Sequence, residues 1–95
     1  FGKTVANPNV SFDDAIENID IGGPAMLRAA AKNFRDVVVI VDPEDYAVVL
    51  SEMMTAGGTV SSTTKLCLAQ KVFAHTAEYD TMIAQYLKKI VNESR

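Results

Sequence analysis

The run Val37-Val38-Val39-Ile40-Val41 constrains this chain more than any other stretch. Every residue in it is β-branched, which favours a strand. Apolar and polar residues do not alternate, so both faces of that strand are expected to be buried. Such a pattern belongs to a central parallel strand covered by helices on both sides. One strand of this kind cannot satisfy its own backbone hydrogen bonds. Its neighbours are therefore expected from outside the 95 residues. The predicted fold class is α/β, with this chain supplying a mostly helical part and one central strand.

The remaining segments carry helical signals. Ser11 is a good N-cap, with Asp14 three residues on as a weak capping box, and Phe12, Ala15, Ile16 and Ile19 follow at helical spacing. A short helix over 12–19 follows from this. Gly22-Gly23-Pro24 breaks it, and Pro24 suits the first position of a second helix over 24–33. Asp42 ends the strand and caps a third helix, with Pro43, Glu44 and Asp45 in its first turn. Tyr46, Val49, Leu50 and Met53 form its apolar stripe, and Gly57-Gly58 closes it. The Ser/Thr cluster at 61–64 opens a long helical pattern from about Thr63 to Val91. Its predicted apolar side is Leu66, Ala69, Phe73, Ala77, Ile83, Leu87 and Ile90. That length exceeds an ordinary globular helix, so a break near His75–Tyr79 is expected. Residues 1–10 read as a strand end or loop with a turn at Asn7-Pro8-Asn9, and the polar tail from Lys88 to Arg95 reads as the approach to a linker. There is no internal repeat.

Composition excludes more than it identifies. A net charge of −3 gives no support to nucleic-acid or anionic-membrane binding, both of which use clustered Lys and Arg. Hydrophobic residues at 48% are ordinary for a globular domain, and no stretch has the length of a membrane span. The single cysteine, Cys67, cannot form an internal disulfide; it reads as a small core residue, and a reducing cytoplasmic compartment is the default. No metal-ligand spacing is present. The chain begins at Phe1 rather than Met, which reads as an excised or processed piece.

The stretch with chemical content is Ile19-Asp20-Ile21-Gly22-Gly23-Pro24, then Arg28 to Asn33. Glycines just before a helix let a ligand approach backbone N–H groups, and the helix N-terminus adds partial positive charge. Asp20 stands at the rim of that turn. Arg28 and Lys32 are four apart and share a helix face. The same residues also read as an ordinary turn and a solvated face. His75 lacks a carboxylate-plus-nucleophile arrangement, so a structural or interfacial role suits it better. Asp13-Asp14 and Glu44-Asp45 fit helix-start charges better than a carboxylate dyad.

Taken together, Lys3-Thr4-Val5-Ala6, Ala15 to Pro24, Leu27 to Asn33, Asp42 to Tyr46 and Phe73 to Asp80 resemble, in order, the IMP cyclohydrolase domain of the bifunctional AICAR transformylase/IMP cyclohydrolase family. The resemblance covers about residues 1–90. It implies a methylglyoxal-synthase-like fold, a parallel sheet between helices. Residues 1–91 would be the C-terminal half of that domain, and 92–95 the start of a linker to a transformylase domain. The implied reaction is dehydrative ring closure of 5-formamidoimidazole-4-carboxamide ribotide to IMP in purine biosynthesis. No cofactor or metal is implied for that step; 10-formyltetrahydrofolate would be co-substrate of the transformylase domain. Lys32 matches the family's catalytic lysine, and Asp20 a residue that holds and polarises the reacting amide. Asp20, Ile21 and Gly22 match the turn that contacts the base. The implied partners are the purine ribonucleotide, the N-terminal half-domain, which carries the phosphate-binding groups, and the transformylase domain, in a homodimeric parent. Nucleic acid and membrane are not among them. The alternative reading is an inactive helical fragment that acts only as an association module. A methylglyoxal synthase stands third, because a shared fold does not determine chemistry.

Overall fold

The computed structural model describes residues 1–94. Its elements are α1 (Gly2–Ala6), α2 (Phe12–Glu17), α3 (Gly22–Lys32), α4 (Asp45–Thr55) and α5 (Ser62–Glu93). The expected helices are present, and α1 forms where a strand end or loop was predicted. No strand occurs among the described residues.

The helix ends follow local chemistry. The Ser11 hydroxyl accepts the Asp14 N–H at 3.1 Å and starts α2. The Ser61 hydroxyl accepts the Thr64 N–H at 3.2 Å and starts α5. At the end of α4, Gly57 and Gly58 take φ of 71° and 97°. That left-handed backbone lets the Gly58 N–H reach back to the Met53 carbonyl at 2.7 Å, the long bond of a Schellman motif. Pro24 stands third in α3 rather than first, still within the turn whose N–H groups have no helical partner.

The spine is α5. It runs unbroken for 32 residues, about 48 Å at 1.5 Å per residue. The break expected near His75–Tyr79 is absent because nothing there interrupts the ladder: the segment has neither Gly nor Pro, and buried Thr76 donates its hydroxyl to the Phe73 carbonyl at 3.2 Å. The helix continues through Lys88 to Glu93, where a polar approach to a linker was read; Arg95 lies outside the described residues.

The apolar register of α5 also differs from the expected one. Leu68, Ala69, Val72 and Thr76 are buried, and Tyr79, Ile83, Tyr86 and Ile90 are half-buried. From Ala69 onward these alternate three and four apart, the seam of a helix packed along one line. Leu66, Phe73 and Ala77 face solvent instead. Helix α3 lies antiparallel to α5, with Ala31 against Ala69 and Val72, and Leu27, Ala30 and Phe34 around them. Phe1 packs edge-on against Tyr79 and Tyr86 at centroid distances of 6.2 and 5.8 Å, and Phe12 stacks on Tyr86 at 6.5 Å, so α1 and α2 lie on the C-terminal half of α5. Helix α4 is tied to the N-terminal half by charge: both Asp45 oxygens accept from Lys71 Nζ at 2.8 Å.

Residues 37–41 are the main correction. They form neither helix nor ladder, and among the described residues no backbone hydrogen bond involves Val38–Val41. Val39 is buried in the α3–α5 core and Val41 packs against it, while Val38 is 40% exposed. One face is covered, not two. The β-branched run has a helical layer on one side and no neighbouring strand to pair with, so the central strand is not formed.

The molecule is elongated, 59 × 21 × 17 Å, with a radius of gyration of 17.4 Å. A compact chain of this length has about 12 Å.

Candidate functional site

The turn into α3 is built around Asp20. Ile21, the residue just before the helix, is itself in a helical conformation and has no side-chain oxygen to cap with. Asp20 takes that part: its Oδ1 accepts the Gly23 N–H at 2.9 Å, placing a carboxylate at the positive end of α3. A side chain at residue 23 would compete with the Asp20 carboxylate for space. A Cβ there would stand 2.6 Å from Asp20 Oδ2. The backbone of Asp20 is held from a different direction, by its N–H donating to Tyr79 Oη of α5 at 2.7 Å.

The turn is open to solvent. Ile21 is 73% exposed, and a Cβ at Gly22 would meet nothing within 4 Å. An exposed carboxylate with one oxygen committed, beside accessible backbone at a helix start, suits a polar ligand that offers N–H groups to the acid and acceptors to the backbone.

Lys32 lies in the last turn of α3, exposed and without an ion pair or hydrogen bond among the described residues. Ten residues of helical rise separate it from Gly22, about 15 Å. The structure therefore brings Asp20, Ile21 and Gly22 together and leaves Lys32 a helix length away. Arg28 lies between them, its guanidinium carbon 5.9 Å from the Phe73 ring centroid, a cation–π contact that packs it on α5.

Other candidates fall outside this turn. His75 is exposed and borders an open cleft of about 420 Å³ with Asp42, Lys71 and Glu78. Cys67 is exposed, a correction to its core reading: it falls on the outer side of the register that buries Leu68 and Ala69. Asp13 and Asp14 lie in the first turn of α2 and Asp45 in that of α4, as helix-start charges. Tyr79 is the residue that sequence spacing missed. It is 59 residues from Asp20, and no local pattern connects the two.

The sequence profile described as AICARFT/IMPCHase bienzyme matches residues 30–95. The chain belongs to that family. It is 63% identical over 90 residues, 95% of its length, to the bifunctional purine biosynthesis protein PurH of Polynucleobacter necessarius subsp. necessarius (strain STIR1). It is 59% identical over 93 residues, 98% of its length, to the protein of the same description from Acetivibrio thermocellus. The chain spans 17% and 18% of those two relatives. Among solved structures it is similar to the crystal structure of ForH, with 43% identity and a TM-score of 0.69 over 76% of this chain and 38% of that one. The profile match takes in Lys32 but begins after Asp20–Gly22; the matches to the two relatives are long enough to include that turn.

Proposed function

We propose that this chain supplies the α3 turn of an IMP cyclohydrolase site, in a protein that works in purine biosynthesis. The observation that carries the reading is the 63% identity to a bifunctional purine biosynthesis protein across 95% of the chain. The accessible Asp20–Gly22 turn supports it. The reaction is ring closure of 5-formamidoimidazole-4-carboxamide ribotide: the carboxamide nitrogen adds to the formyl carbon, and water leaves. The nitrogen must lose a proton, and charge on the formyl oxygen must be stabilised. In this reading Asp20 accepts a hydrogen bond from the reacting carboxamide, and the Ile21–Gly22 backbone meets the base. Residues 1–91 form the second half of the cyclohydrolase domain, with 37–41 entering a methylglyoxal-synthase-like parallel sheet, and 92–95 lead toward the transformylase domain. There 10-formyltetrahydrofolate is the co-substrate, and the parent is a homodimer.

Lys32 is the catalytic lysine in this scheme, transferring the proton or steadying the charge that develops on the formyl oxygen. The test is steady-state kinetics in the full-length protein. Asp20→Asn and Lys32→Ala are each expected to lower kcat of ring closure at least about a hundredfold, the lower end of what a positioned acid–base or charge-stabilising group contributes. Lys32→Arg also fails, since Arg keeps its proton. Formyl transfer stays near wild type in all three. Lys88→Ala, at an exposed position of α5, leaves both activities unchanged. Wild-type ring closure by Lys32→Ala removes Lys32 from the mechanism; wild-type closure by Asp20→Asn as well removes this turn from it.

A further inference from the structure

Helix α5 crosses the Asp20 turn at Tyr79, and the contact is specific. Among the described residues, those between α2 and α3 bond otherwise only to their own neighbours: the Asn18 N–H to α2 carbonyls, the Ile19 N–H to the Ile16 carbonyl at 3.1 Å. The Asp20 N–H breaks that local pattern and donates to Tyr79 Oη at 2.7 Å. Tyr79 is itself held. Its ring lies half-buried in the α5 seam and meets the edge of Phe1 at 6.2 Å. The Asp20 main chain is thus anchored to the spine of the molecule, while its carboxylate is anchored to α3 through the Gly23 N–H at 2.9 Å. One oxygen, Oδ1, is engaged. The other, Oδ2, occupies the space where a Cβ at residue 23 would be, at 2.6 Å.

We propose that Tyr79 and Gly23 are positioning residues for Asp20: Tyr79 holds its backbone amide, and Gly23 binds one carboxylate oxygen while leaving room for the other. The proposal rests on the reading of Asp20 as the group that holds the reacting carboxamide. An exposed aspartate has two free side-chain torsions and water on most sides. Held at both the amide and Oδ1, it presents Oδ2 in one direction. A hydrogen-bonding group displaced by even about 1 Å loses much of its effect on a reaction.

The test uses a full-length protein carrying this segment, with Tyr79→Phe, Gly23→Ala and Asp20→Asn, and Tyr46→Phe on exposed α4 as the control for losing a phenol hydroxyl. Three quantities are read: amide hydrogen exchange at Asp20, the kcat and KM of ring closure, and thermal stability. Tyr79→Phe keeps the ring and removes only the acceptor. It is expected to speed exchange at the Asp20 amide about three- to tenfold, the net worth of one such hydrogen bond, and to lower kcat about tenfold with KM within about twofold. Gly23→Ala separates positioning from stability. Its backbone is helical, where Ala is favoured over Gly, and that gain offsets a weakened Asp20 cap, so the melting temperature stays near wild type while kcat falls about tenfold because the carboxylate must move. Unchanged exchange at Asp20 in Tyr79→Phe overturns the anchoring bond. Wild-type kcat in both variants, with Asp20→Asn inactive, overturns the positioning role while leaving Asp20 in the mechanism. A fully active Asp20→Asn overturns the role too, and assigns the failure to the reading of Asp20 rather than to the contacts around it.

Discussion

Glu52 shows how much one carboxylate can organise. It extends from α4 across the Gly57–Val60 loop to the first turn of α5. Its Oε2 accepts the Thr64 hydroxyl at 2.6 Å, and its Oε1 accepts the Ser61 N–H. The Thr64 bond first, then the Ser61 bonds, hold the Glu52 carboxyl below its ordinary value of 4.5. A depressed acid stabilises the folded state above its unfolded pKa, and that contribution is lost as pH falls through the folded value. Helix content and the melting midpoint are therefore expected to drop as pH is lowered from 4.5, and Glu52→Gln is expected to flatten that acid limb. A circular-dichroism titration of both proteins checks this; equal acid limbs would take Glu52 out of the junction. Lys71 has the opposite sign. Its hydrogen bonds to Asp45 raise it above 10.5, so its contribution is full at neutral pH and is lost only as strongly alkaline pH passes the raised value.

Among the elements, α5 decides the packing, and its register is testable. Val72 is 0% exposed and sits between Ala31, Val39 and Ala69. Val72→Ala is expected to cost about 2 kcal/mol, the transfer of two methyl groups plus part of a cavity. Leu66→Ala, at a position the sequence pattern placed on the same buried stripe, should change stability by no more than about 0.5 kcal/mol, because Leu66 is more than half exposed. Urea unfolding of the two variants distinguishes the registers; a larger loss from Leu66→Ala would restore the expected stripe. The cap at Ser61 was readable locally because it depends on a hydroxyl three residues from an N–H. The stripe was not, because every third or fourth residue over 32 positions offers several nearly equal apolar lines, and only the partner helix selects one.

At the scale of the whole molecule, the shape and the apolar surface agree. The chain is 59 Å long, and α4 buries only Val49, leaving Tyr46, Val48, Leu50 and Met54 exposed. Val38 of the unpaired run faces outward nearby in sequence. Apolar surface of this extent favours association. Sedimentation of the 95-residue chain is expected to show mass rising with concentration, and the strictly monomeric result would contradict it.

Local chemistry was sufficient for the start of α2, the end of α4 and the start of α5, but not for α1 or the unbroken run of α5. Ser11, Ser61 and Gly57-Gly58 act through bonds to residues three to five positions away, so the neighbouring sequence contains both partners. The Asp20–Gly23 turn was visible for the same reason, and the order of segments was enough for the family resemblance. Tertiary structure decided the rest. It selected which line of α5 is buried, left 37–41 without a ladder because pairing needs a second strand, and connected Asp20 to Tyr79 across 59 residues. Bonds between near neighbours are written in local sequence; contacts between distant segments depend on how rigid helices lie against one another, and that is a property of the packed whole.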